Sequence, residues 1–103
     1  MLTKEVAIEK SLLLINELRR NGYSASKAAL FGSFVDGKAH EHSDIDLALW
    51  DEKFTGCLSI DYEPIKHILR KFDRIELHTF NENETSENNP FIKVIERKCI
   101  KLA

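Results

Sequence analysis

Residues 28–50 read AALFGSFVDGKAHEHSDIDLALW, and the arrangement of the chain turns on how this stretch divides. Ala28-Ala29-Leu30-Phe31 is a short apolar run cut off by Gly32-Ser33, the form of a buried strand feeding a turn. Phe34 to His42 is a polar connection that carries Gly37. From Ser43 the chain alternates acid and aliphatic through Asp44, Ile45, Asp46 and Leu47, then turns wholly apolar as far as Trp50. A period of two belongs to a strand, so the spacing predicts one over residues 43–50 with Asp44 and Asp46 on a single face and Trp50 in the core.

Working outward, Val6, Leu12, Leu13, Ile15 and Leu18 fall among charges between Lys4 and Arg20, which predicts a helix with Thr3 as its N-cap and Asn21-Gly22 as its end. After a loop from Asp51 to Ser59, the apolar positions Ile60, Ile65, Ile68, Leu69 and Phe72 have helical spacing, with Pro64 tolerated in the first turn. Arg74 to Phe80 alternates again, which predicts a third strand whose one face carries Arg74, Glu76 and His78. Asn81 to Asn89 is a solvated loop of Asn, Glu, Thr and Ser. Pro90 then opens a last helix with Phe91, Ile92 and Ile95, and Cys99 to Leu102 returns as a short edge strand. Helix, strand, strand, helix, strand, helix predicts one small α/β (α+β) domain over residues 1–103, its helices packed on a mixed β-sheet.

Composition limits what such a domain does. With 103 residues, 43% of them hydrophobic and 31% charged, the chain suits one modest core that needs no metal or disulfide staple. Fifteen Lys and Arg against seventeen Asp and Glu give a net charge of -2, which argues against a nucleic-acid-binding or anionic-membrane surface. Cys57 and Cys99 lie far apart without metal-ligand spacing and read as reduced thiols. His40 and His42 flank Glu41 but lack the third ligand a zinc site needs. No apolar run reaches the roughly 18–20 residues that span a bilayer, and Met1-Leu2-Thr3-Lys4-Glu5 lacks the order of a secretion signal, so the expected compartment is the cytoplasm.

Two features carry chemistry. Carboxylates one residue apart on a strand stand about 6.5–7 Å apart on the same face, and two such anions repel unless a cation joins them. Mg²⁺ suits that role, since it is held by one or two carboxylates together with substrate phosphates. Gly32 lets the backbone approach a phosphate closely, and Ser33 adds a hydroxyl donor beside the free N–H groups of a turn.

Taken together, Gly32-Ser33, ten intervening residues that include Gly37, and the Ser43-Asp44-Ile45-Asp46-Leu47 strand resemble the minimal nucleotidyltransferases of the DNA polymerase beta superfamily. The likeness extends to the leading helix, the Arg74-Ile75-Glu76-Leu77 strand and the final helix. It implies a polymerase-beta-like nucleotidyltransferase fold in which Asp44 and Asp46 are paired metal ligands. Glu76 takes the place of the third carboxylate, which completes the metal site and orients or deprotonates the acceptor hydroxyl. Gly32 and Ser33 would hold the triphosphate. Two departures stand out: members often carry a basic residue where this chain has Phe34, Val35 and Asp36, with Lys38 as the nearest replacement, and the third acid is commonly Asp.

The implied activity is Mg²⁺-dependent transfer of a nucleoside monophosphate, AMP from ATP or another nucleoside triphosphate, to a hydroxyl by two-metal catalysis. The resemblance also implies a partner, because minimal members act as one half of two-component systems beside a helical HEPN-type or substrate-binding protein. In toxin–antitoxin pairs of that kind the nucleotidyltransferase is the antitoxin and adenylylates the toxin. A homodimer is the other way to complete an acceptor site. The competing reading is a catalytically degenerate nucleotide-binding or regulatory subunit, which the missing basic residue and Glu76 favour.

Overall fold

The structure is a computed structural model that describes residues 2–103; Met1, at which the predicted domain begins, lies outside the described residues. Helix α1 runs from Lys4 to Arg20 as its cap and stop signals predict. The Thr3 hydroxyl accepts the Val6 N–H at 3.2 Å, and the Asn21 N–H closes the last turn on Leu18 and Arg19. The buried stripe, however, is Ala7, Ser11, Leu14, Ile15 and Leu18, while Val6, Leu12 and Leu13 are exposed. The small side chains of Ala7 and Ser11 let α1 sit close, Ala7 packing in a cluster with Leu30, Phe34 and Ile45. The Ser11 hydroxyl satisfies itself on the Ala7 carbonyl at 2.8 Å.

Strand β1 (Lys27–Phe31) pairs antiparallel with β2 (Ile45–Asp51), so the decisive stretch does divide into two strands. Between them Ser33–Asp36 forms a helical turn, α2, where the sequence reads only as a polar connection. The cause is Phe34, which is buried against Leu30 and Ile45 and pulls the turn onto the sheet. Strand β3 (Ile75–Asn81) lies parallel to β2, and β4 (Ile100–Lys101) adds to the other side of β1, giving a four-stranded mixed sheet in the order β3-β2-β1-β4.

A parallel pair needs a crossover, and the chain supplies one from residue 58 to 69. One continuous helix was expected over residues 60–72; the structure has α3 (Leu58–Asp61), a 3₁₀ turn (Glu63–Ile65) and α4 (Lys66–Leu69). Pro64 has no N–H to continue a helical ladder from α3, so the chain restarts after Tyr62, burying Ile65 and Ile68 while Ile60 stays exposed. Asp61 reinforces the break. Its buried carboxylate accepts from the Thr55 N–H and hydroxyl, the Gly56 N–H and the Thr79 hydroxyl, fastening the crossover to β3.

The two faces of the sheet are covered differently, and that difference positions the site. On one face Leu47, Leu49 and Leu77 pack with α1 and α4. On the other, Ala48, Trp50 and Phe80 pack under Ile92 and Ile95 of α5 (Pro90–Arg97), with Trp50 stacked on Phe80 at 4.8 Å between centroids. Fully burying side chains of this size contributes about 1.5–3 kcal/mol each. The Trp50 Nε1–H finds the Glu84 carbonyl at 3.0 Å, which ties the Asn-rich loop to the core. Asp51, expected to begin a loop, is instead the last residue of β2 and is fully buried. Burial pushes its carboxyl up, but the N–H groups of Lys53 and Ala25 and the Ser24 hydroxyl outweigh that and hold it below the ordinary carboxylate value. Cys57 and Cys99 are both free thiols, and no helix among the described residues is long and apolar enough to cross a membrane.

Candidate functional site

The apolar cover of α5 reaches Ala48 and Trp50 but leaves the start of β2 open, and there three elements meet. Register places Phe31 opposite Asp46 across β1 and β2, and Asp46 opposite Glu76 across β2 and β3. Asp46 is thus flanked by the turn that follows β1 on one side and by Glu76 on the other. Because side chains alternate, Asp46, Glu76 and His78 share the face away from the α1 core. Each of these three residues offers a donor atom, and the three atoms all lie within 4.8 Å of one another.

Gly32 forms the wall of this group. It has φ +79 and ψ -152, a conformation open only to glycine, and it is the N-cap of α2. A Cβ built there would overlap Asp46 Oδ2 outright and stand 3.1 Å from its Cγ. The turn backbone therefore lies directly against the carboxylate. Ser33 begins α2, and its N–H and that of Phe34 head a first turn with no preceding helical carbonyl to take them. The predicted phosphate turn and the predicted metal carboxylate are neighbours in space.

Asp44 stands apart from the three-residue group. It is exposed and precedes β2 by one residue, so the predicted strand begins two residues later than expected, at Ile45. The segment before it is nonetheless fixed: the Ser43 hydroxyl accepts the His40 N–H at 2.9 Å, and the Arg74 guanidinium donates to the Ser43 carbonyl. Arg74 was expected on the face of Glu76. It instead precedes β3 at φ +68, and its carbonyl accepts the Ile45 N–H, so it fastens the starts of the two central strands together.

His78 is the residue that sequence reasoning undervalued. A histidine on a polar strand face is by default a surface residue, yet its side chain is only 24% exposed and its Nε2 lies 3.3 Å from Asp46 Oδ1. Its ring packs edge-on to Phe31 at 5.0 Å and tilted to Phe91 at 5.7 Å between centroids. The signal was present in the two-residue step from Glu76, which puts both side chains on one face. His40 and His42 stay in an exposed loop, where His42 Nε2 faces Glu41 at 3.4 Å.

Two carboxylates converging on one point fit a divalent cation. Oxygen donors from Asp46 and Glu76 suit a hard ion, and the approach of the Gly32 backbone leaves room beside them that any side chain would fill. A pocket of about 310 Å³ opens next to Glu76, lined also by Leu58, Tyr62, Leu69, Arg70 and Leu77.

Residues 13–96 match the family model described as Polymerase beta, Nucleotidyltransferase. The mixed four-stranded sheet with its helices agrees with that fold. No curated protein and no solved structure is similar enough to this chain to count as a match.

Proposed function

This chain belongs to the polymerase beta nucleotidyltransferase family, and from that premise we propose that it transfers AMP from ATP to a hydroxyl acceptor. The observation that carries the reading is the convergence of Gly32, Asp46 and Glu76, from three separate elements, at the uncovered end of the sheet. Asp44, Asp46 and Glu76 hold two Mg²⁺ ions in this reading, with Asp44 joining from the segment that Ser43 and Arg74 fix. When bound, the ions neutralise charge on the attacking and leaving oxygens of an in-line displacement.

The chain's own groups do the rest. Ser33 and the N–H groups at the start of α2 receive the triphosphate, and Gly32 allows it to lie against Asp46. Glu76 orients the acceptor hydroxyl and takes its proton. A bond forms from the acceptor oxygen to the α-phosphorus, and the bond from that phosphorus to the bridging oxygen breaks, releasing pyrophosphate. The pocket beside Glu76 lies where β3 forms the free edge of the sheet, which supports an acceptor arriving from that side. We propose that a helical HEPN-type partner brings this acceptor, with the present chain as the antitoxin of the pair.

The test is calorimetric titration of ATP with Mg²⁺ into the wild type and Asp46→Asn, followed by incubation of the co-purified complex with α-phosphate-labelled ATP. The expected result is metal-dependent ATP binding and label transfer, both lost in the variant. Binding that Asp46→Asn leaves intact would overturn the assignment of the site. Metal-dependent binding with no transfer to any partner would point to the regulatory-subunit reading instead.

A further inference from the structure

We propose that His78 supplies a nitrogen donor to the cation held by Asp46 and Glu76, and that this makes the site prefer a first-row transition ion, Mn²⁺, over Mg²⁺. The proposal rests on the reading of Asp46 and Glu76 as cation ligands and extends it to the choice of ion. Three observations carry it. His78 Nε2 lies 3.3 Å from Asp46 Oδ1. Neighbouring donors around one cation at about 2.1 Å are roughly 3.0–3.4 Å apart, so one ion can take both atoms as adjacent ligands. Glu76 joins them in a set in which one donor atom from each of Asp46, Glu76 and His78 lies within 4.8 Å of the other two, two oxygens and one nitrogen.

The third observation is that the imidazole is held rather than free. Phe31 at 5.0 Å and Phe91 at 5.7 Å pack on its ring, and only a quarter of the side chain is exposed, so its nitrogen is presented to the carboxylates with little rotamer freedom left to lose. Phe31 is the residue opposite Asp46 in the register, so the same strand pairing that sets the carboxylate also sets the histidine's support. Mg²⁺ takes oxygen ligands almost exclusively, whereas an imidazole beside carboxylates suits first-row transition ions. The alternative role, in which Nε2–H merely donates to Asp46 and steadies it, would leave an all-oxygen donor set whose ordering of the two ions does not depend on the imidazole.

Calorimetric titration of Mn²⁺ and of Mg²⁺, each without nucleotide, separates the two roles when run on the wild type, His78→Gln, His78→Ala and Asp46→Asn. The expected result is a wild-type preference for Mn²⁺ over Mg²⁺ that both His78 variants shrink by about tenfold, while Mg²⁺ affinity stays within about twofold. Electron paramagnetic resonance of the Mn²⁺ complex should show coupling to an imidazole nitrogen, and this measurement needs only the wild type, so it decides the matter even where a variant fails to fold. Absence of that coupling, equal losses for the two ions, or rescue of the preference by Gln, which retains an N–H donor, overturns the proposal. The reading beneath it fails separately: if Asp46→Asn binds both ions like the wild type, the carboxylates are not the ligands at all. If Asp46→Asn loses both ions while His78→Gln keeps the wild-type preference, the carboxylate reading stands and the histidine assignment falls.

Discussion

Replacing Gly32 with alanine tests the claim that the turn after β1 and the carboxylate of Asp46 are built against each other. Two costs follow from the geometry. At φ +79 and ψ -152 any residue with a Cβ is strained, which costs on the order of 1–3 kcal/mol. The new methyl would also stand 3.1 Å from Asp46 Cγ and 3.3 Å from its Cβ, besides overlapping Oδ2. Ordinary carbon contacts lie at about 3.5–4.0 Å, so the carboxylate has to retreat by roughly half an ångström at Cγ and by more at its oxygen. Displacements approaching 1 Å at a reacting centre cost about 100-fold, which sets the expected loss of metal-dependent ATP binding or transfer in Gly32→Ala at roughly ten- to 100-fold. Urea denaturation and thermal melts measure the first cost, since each kcal/mol lowers Tm by roughly 4–8 °C in a domain of this size. Calorimetry with Mg²⁺ and ATP measures the second. A variant as stable as the wild type that binds metal and ATP within about twofold would refute both the strain and the close approach.

The remaining predictions concern carboxylates outside the candidate site. Asp51→Asn keeps the shape but sets an amide N–H against at least one of the three donors on Asp51, and loses about 1–3 kcal/mol at pH 7 in urea denaturation. Because the folded pKa of Asp51 lies below its unfolded value, its ionisation adds stability above the unfolded value that is lost as pH falls through the folded one. The deficit of Asp51→Asn should therefore be larger at pH 7 than at pH 3, and an equal deficit at both would refute the assignment. Asp61→Ala strands four donors from Thr55, Gly56 and Thr79, and should cost about 1–3 kcal/mol or somewhat more, with hydrogen exchange rising first in residues 55–65. Uniform exchange across the sheet would refute a local role for that carboxylate.

What could be read from the sequence follows how local each signal is. The bounds of α1 are set by Thr3 and by Asn21-Gly22, within a turn of the helix itself, and they appear in the structure as read. Which face of α1 is buried is a tertiary matter: Ala7 and Ser11 win over Val6 and Leu13 because the sheet demands close approach rather than bulk. The crossover shows the same division. Ile65 and Ile68 lie on the apolar stripe that the spacing picks out and are buried, but Pro64 and the hydrogen bonds to Asp61 break the helix that the periodicity implies. At the site, the chain spacing of Asp44 and Asp46 was legible, as was the shared face of Glu76 and His78. The placement of Asp46 between Gly32 and Glu76 depends on strand order and register, which no local pattern encodes.

That register has a consequence for how the molecule becomes competent. Asp46 and Glu76 meet only because β2 and β3 align in parallel across a crossover of more than twenty residues. A slip of one residue would turn Ile75 or Leu77 toward Asp46 in place of the carboxylate and drive the whole apolar set of β3 to the wrong face. If Asp46 and Glu76 are the cation ligands proposed above, no partly paired chain can gather them from both strands, and ion capture would report completed folding. A nascent or misregistered copy would then be silent, and an ion bound at the finished site would stabilise the correct alignment against every slipped alternative.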